Sequence, residues 1–185
     1  MPRTYSAYVI FPPLLLGVLL AVSNWRLVLE NRRLNAEEQF YASLRHTPTG
    51  IALPDLHGEA PNGRPLTISY QDIGRQTLLF VFSPTCPHCK RNWPVWLDLA
   101  KAAKDARVAF VNVGDPLPPN FSQSYSFDAA PVLAKTSPES ILKYSLFEFP
   151  ITIVMSPDGH SQGVWAGELS KSDAAGIAAL LVHNQ

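Results

Sequence analysis

Cys86-Pro87-His88-Cys89 holds the only two cysteines of the 185-residue chain. Two thiols at that spacing can close a small disulfide ring and reopen it. So short a closed loop removes almost no chain entropy, which makes reactivity a better reason for the pair than stability. The motif stands between an apolar run, Leu78-Leu79-Phe80-Val81-Phe82, and a helix-like run ending at Lys104. A thiol at such a helix N-terminus meets unpaired N–H groups and the positive end of the helix dipole, and both favour its thiolate. The thiolate is the form that attacks a disulfide. Cys86 is therefore assigned as the nucleophile, and Cys89, one turn on and more buried, as the resolving thiol.

His88 lies between them, and three readings of it stand. Its ring could stabilise the Cys86 thiolate and make the disulfide more oxidising. It could face solvent with little influence. It could join Cys86 and Cys89 in binding copper or zinc, although no fourth ligand stands at a recognisable spacing.

The elements that position the motif follow from punctuation and periodicity. Many of the 17 prolines fall at element boundaries. Pro54-Asp55-Leu56-His57-Gly58 and Pro61-Asn62-Gly63-Arg64 are turn signals around a small hairpin. Ile68 to Ile73 reads as a short helix. Thr77 to Phe82 and Val108 to Val113 read as buried strands, with a helix over Pro87 to Lys104 between them. Its apolar face is Trp93, Trp96, Leu97 and Ala100, and the spacing makes both tryptophans core residues. Gly114 to Ser126 is proline-rich and irregular. Pro138 to Tyr144 is a short helix, and Ile151 to Met155 and Gly163 to Ala166 are strands joined by Pro157-Asp158-Gly159. Ser170 to Val182 is a helix with Ser170 as its cap and Asp173 in its first turn. His46, His57 and His160 lie near turns and read as surface histidines without partners. The order implies an α/β fold, a mixed central sheet covered by helices on both faces.

Before this domain no charge occurs from Thr4 to Trp25, a stretch of about 22 residues that could cross a bilayer. Tyr5, Tyr8 and Trp25 suit the two interfaces. The expected organisation is a transmembrane helix over 1–25, a stalk helix and linker over 26–50, and the globular domain over 51–185. A cleaved signal peptide is the alternative, with Ala21-Val22-Ser23 as its cleavage site. Arg26, Arg32 and Arg33 would by charge alone put the domain in the cytoplasm. Disulfide chemistry argues for the outer side, which is the side expected here. The chain is 46% hydrophobic with formal net charge +0, so it can bury a core and carries no basic signature of a nucleic-acid partner.

Three separated features carry a resemblance. One is the strand with Cys86-Pro87-His88-Cys89, followed by Lys90-Arg91-Asn92-Trp93-Pro94. A second is Phe149-Pro150-Ile151-Thr152-Ile153-Val154. The third is Ser156-Pro157-Asp158-Gly159 with Gly167. In this order they resemble thioredoxin-fold proteins, and within them the membrane-anchored thiol-disulfide oxidoreductases of the TlpA/ResA type, over about Ile51 to Val182. The resemblance implies a thioredoxin-like mixed sheet flanked by helices, with Pro94 at the helix-kinking position. It implies that Pro150 is the cis-proline opposite the cysteines and that Phe149 and Pro150 face substrate. The Pro87-His88 dipeptide, similar to that of the oxidising DsbA proteins, would tune the pair. Three positions depart from the pattern. Asn92 replaces the usual glutamate, Phe80 stands where a buried acid would be, and Thr85 replaces a tryptophan. Both positions that could supply an acid-base carboxylate are thus non-ionisable.

The expected function is thiol-disulfide exchange with protein substrates outside the cytoplasmic membrane, with no cofactor. It needs a membrane or thioredoxin-like redox partner, and the direction of electron flow stays open. Two alternatives remain. One is a copper chaperone or metal-site assembly factor using Cys86, His88 and Cys89. The other is an accessory factor, because Ser83-Pro84-Thr85-Cys86-Pro87 is similar to MauD-type proteins, which serve methylamine dehydrogenase. No peroxidase pattern of the form Pro-x-x-x-Thr-x-x-Cys is present.

Overall fold

The computed structural model describes residues 16, 17, 19–33, 49–71, 74–119, 121 and 130–182. The chain divides into two compact units, Met1–Leu44 and Arg45–Gln185. In the first, the described residues between 16 and 33 are helical and exposed. Among the described residues no helix is long and apolar enough to cross a membrane. Most of the expected anchor (1–15) and most of the stalk and linker (34–48) lie outside the described residues, as does His46.

The second unit is built on two sheets. The larger has the order β5-β4-β3-β7-β8, formed by β3 (Thr77–Phe82), β4 (Arg107–Asn112), β5 (Val132–Leu133), β7 (Ile151–Met155) and β8 (Ser161–Ala166). It is mixed: β3 pairs parallel with β4 and antiparallel with β7. The smaller sheet joins β1 (Leu56–Glu59), β2 (Pro65–Ile68) and β6 (Lys135–Thr136) in the order β2-β1-β6. Among the described residues, three helices complete the unit: α1 (Pro87–Ala102), α2 (Pro138–Tyr144) and α3 (Lys171–Val182).

The continuous apolar run of β3 is explained by its place at the centre, where every one of its residues is buried. Alternate side chains point to opposite faces of a strand, so the run splits into two cores. Leu78, Phe80 and Phe82 pack with Trp93, Trp96 and Leu99 of α1 and Ile177 of α3. Leu79 and Val81 pack on the other face with Leu56, Ile68, Tyr70, Tyr144 and Leu146. Tyr70 and Tyr144 join their hydroxyls at 2.7 Å in that second core. Burial pushes both phenols above the ordinary tyrosine range.

The helix ends follow local chemistry. Pro87 occupies the first turn of α1, where its missing N–H costs nothing. Ser137 caps α2 through Ser140 N at 3.2 Å, and Ser145 closes it in the left-handed region. Ser170 and Asp173 cap α3 reciprocally: Asp173 N donates to Ser170 Oγ at 3.2 Å, and Ser170 N to Asp173 Oδ2 at 2.8 Å.

Several expectations need correction. Ile68 does not begin a helix. It ends β2, fully buried and paired with Leu56, while Asp72 and Ile73 lie outside the described residues. The final strand starts at Ser161 rather than Gly163, because a register shift between Val154 and Met155 lets Ser161 pair with Met155. β5 and β6 were not foreseen, since two residues each give no readable period. Nor are His57 and His160 without partners: their Nδ1 atoms lie 3.0 Å from Thr67 Oγ1 and 3.1 Å from Asp158 Oδ2.

Candidate active site

The buried strand β3 ends at Phe82, and the turn Ser83-Pro84-Thr85 delivers Cys86 to the start of α1. Cys86 is the N-cap residue, with extended backbone, and its Sγ accepts a hydrogen bond from Cys89 N at 3.2 Å. The helix thus directs at that sulfur a backbone N–H that has no partner within the helix itself. Both cysteines are free thiols. Cys86 is 8% exposed and Cys89 3%. Cys89 thus lies deeper, one turn along α1.

Both cysteines belong to the core that holds Phe82 and Trp93, and Cys89 is the more buried of the two. Burial first, and then its hydrogen bond with Cys86, pushes its thiol up to about 12, against a backbone hydrogen bond from Ser83. Among the described residues, no carboxylate replaces the missing acids beneath it. Phe80 stacks on Trp96 at 5.1 Å and tilts against Phe110 at 5.2 Å. Asn92 is 2% exposed and serves as a clamp. Its Nδ2 donates to Gly167 O at 3.0 Å, and its Oδ1 accepts from Leu169 N at 2.8 Å.

The second expected element arrives from across the sheet. The Phe149–Pro150 peptide bond is cis. Phe149 O lies 3.8 Å from Cys86 Sγ, so this loop forms the wall opposite the nucleophile. Gly167 N donates to Pro150 O at 2.8 Å, which ties the β8–α3 loop to the same wall. Phe147, Glu148, Phe149, Pro150, Ala166 and Gly167 border an open hollow of about 350 Å³. Phe147 and Phe149 are exposed on its rim.

Cys86, Pro87, His88, Cys89, Phe149 and Pro150 are thus brought to one place, but the ring of His88 is engaged elsewhere. Its Nδ1 lies 2.6 Å from Glu168 Oε1 and 2.8 Å from Arg91 Nη2, and its side chain is 62% exposed. Arg91 Nε donates to Glu168 Oε1 at 2.8 Å. Hydrogen bonds from Arg91, and then from His88, hold the Glu168 carboxyl down at about 2. Sequence reasoning missed Glu168 and Arg91. Arg91 stood in the quoted motif without a role. Glu168 directly follows Gly167, but 80 residues separate it from His88.

Thr85 was noted only as a departure. Its hydroxyl donates to Asp115 Oδ2 at 2.7 Å and lies 3.1 Å from Ser83 Oγ. Gly114 makes this contact possible, because a Cβ there would collide with the Ser83 side chain. Among the described residues, no group of three His, Cys, Asp or Glu side chains is arranged to hold a metal ion.

This arrangement can be set beside known proteins. No protein-family model matches the chain, and no curated protein matches it. Solved structures do. A thioredoxin-family thiol:disulfide interchange protein from Chlorobium tepidum TLS superposes with TM-score 0.58 at 21% identity, over 72% of this chain and 97% of that one. MTB DsbF, solved in mixed oxidised and reduced forms, gives TM-score 0.58 at 20% identity over 68% and 94%. The peroxidoxin BcpB of Mycobacterium tuberculosis gives 0.58 at 20% over 76% and 99%. The chain has the thioredoxin fold. Because this fold carries both interchange proteins and a peroxidoxin, the reaction must be argued from the site.

Proposed function

We propose that this protein is a thiol-disulfide oxidoreductase that exchanges disulfides with protein substrates. The observation that carries the reading is the asymmetry of the cysteine pair. Cys86 caps a helix and faces the cis-proline wall, while Cys89 sits beneath it, buried and held protonated. In the reductive direction the Cys86 thiolate attacks one sulfur of a substrate disulfide. A Cys86–substrate disulfide forms and the other substrate sulfur leaves as a thiolate. Cys89 then gives its proton to the released substrate thiolate and attacks Cys86 Sγ. The Cys86–Cys89 disulfide closes and the substrate leaves with both of its sulfurs reduced. In the oxidative direction the same steps run backwards.

The exposed hollow beside Phe149 and Pro150 suits an extended substrate segment lying along the wall opposite Cys86. The named interchange proteins of the same fold support this reading. We further propose that the uncharged stretch Thr4 to Trp25 tethers the domain to the cytoplasmic membrane, with the domain outside it. A membrane or thioredoxin-like protein would then serve as its redox partner. The support is the hydropathy of that stretch and the redox compartment that disulfide chemistry requires.

Two cysteine variants test the chemistry. Cys86→Ser abolishes reduction of insulin by dithiothreitol-fed protein. Cys89→Ser accumulates a mixed disulfide visible on non-reducing gels. Turnover that survives Cys86→Ser would refute the assignment. Stoichiometric copper on the purified chain, with no exchange activity, would favour the metal-chaperone alternative.

A further inference from the structure

The first turns of α1 grip three consecutive residues of the loop between β8 and α3, Gly167, Glu168 and Leu169. Asn92 holds the backbone of Gly167 and Leu169 from the buried side. Arg91 and His88 both reach the carboxylate of Glu168 from the exposed side. Because Asn92 fixes the backbone on either side of it, Glu168 is directed at the rim of the cysteine motif. Arg91, five residues after Cys86 on α1, is the fixed positive charge of this rim, and its Nη2 lies 2.7 Å from Glu168 Oε1.

Positive charge beside the nucleophilic sulfur stabilises its thiolate, favours the reduced dithiol and makes the disulfide more oxidising. A carboxylate among those positive groups acts in the opposite sense. We propose that Glu168 is a positioning residue of the disulfide chemistry: it pins His88 and Arg91 at the rim of α1 and offsets their charge, so restraining the oxidising power of the Cys86–Cys89 pair. The inference deepens the oxidoreductase reading and rests on it. Glu168 touches neither sulfur, and it acts through the two side chains it binds. Its ionised form persists to about pH 2, so the offset is present throughout the working range. Lys90, next along α1, and Glu148, beside Phe149 in the chain, are unchanged in the variants below.

The test uses the full chain in detergent, as wild type, Glu168→Gln and Arg91→Gln. Two readouts are taken: the equilibrium constant with glutathione, and the rate of Cys86 alkylation by iodoacetamide at neutral pH. Glu168→Gln keeps the side-chain shape and removes the charge. It should make the disulfide about threefold to tenfold more oxidising, the upper end being ~30 mV, and speed alkylation. Arg91→Gln should shift both quantities the other way. Both shifts should shrink in 1 M salt, where the Debye length falls to about 3 Å. A purely structural role for the bridge predicts neither opposite signs nor salt sensitivity. Unchanged values, or shifts of one sign in both variants, overturn the inference while leaving the oxidoreductase reading intact. A wild-type chain without any reversible transition would sink that reading, and this inference with it.

Discussion

The cysteine motif has an underside and a rim, and the two are built from opposite materials. Beneath it lie Phe80, Phe82, Trp93, Trp96 and Phe110, an aromatic bed without a charge. Around it lie two exposed groups, His88 with Arg91 and Glu168, and Thr85 with Asp115. The underside makes the two thiols unequal, because burial holds Cys89 protonated while Cys86 caps the helix. The rim adds no comparable stability. Its pairs are solvated, and exposed ion pairs contribute little to folding. Its influence falls on charge near the reacting sulfur. On the proposed reading, packing separates the roles of the two cysteines and surface charge adjusts how strongly they oxidise.

Breaking the underside should have the largest effect on stability. Trp96 is fully buried, stacks on Phe80 and donates Nε1–H to Thr152 Oγ1 at 2.9 Å. Trp96→Ala should cost about 3–5 kcal/mol, the range for deleting a large core aromatic, read from urea unfolding. A loss below about 1 kcal/mol would mean that the bed is not the support described.

Asn92 is where the underside meets the rim. Asn92→Ala removes a donor and an acceptor that satisfy Gly167 O and Leu169 N. It should cost about 1–3 kcal/mol by leaving those groups unpaired. It should also raise amide hydrogen exchange at Leu169 specifically. Unchanged exchange there would show that the loop is held by other contacts.

A smaller and pH-confined effect sharpens the difference between the thiols. The folded protein holds Cys89 at about 12 against an ordinary 9.0, so between those values the unfolded chain binds fewer protons than the native one. Stability of the reduced protein should therefore be full below about pH 9 and fall as pH rises toward 12. The raised phenols of Tyr70 and Tyr144 add loss of the same sign. Cys89→Ser should flatten the curve by removing one of the three contributions, measured as Tm against pH. An identical slope in the variant would contradict the burial argument.

The underside was legible in the sequence, and the rim was not. Strand β3, helix α1, the capping position of Cys86 and the burial of both tryptophans followed from a continuous apolar run, helical spacing and one motif. These are local patterns, and hydrophobic periodicity records them directly. The cis bond at Phe149–Pro150 was expected from a resemblance and is present. The bridge between His88 and Glu168 joins residues 80 apart, and nothing in either neighbourhood names the other. The same holds for Thr85 and Asp115, 30 apart. Ile68 misled for a different reason. With turn residues close on either side, a short strand shows too little alternation to be told from a helical turn, and only its pairing with Leu56 decides.

The most direct test of the central claim is a redox titration of the full chain in glutathione buffers, followed by the fluorescence of Trp93, which packs with both cysteines. One reversible two-electron transition should appear and should vanish in Cys86→Ser, with a midpoint that fixes the direction of electron flow. A midpoint near about −120 mV would make the protein a disulfide donor, and one near about −270 mV a reductant. The absence of any reversible transition in that range would mean that Cys86 and Cys89 are not a redox pair.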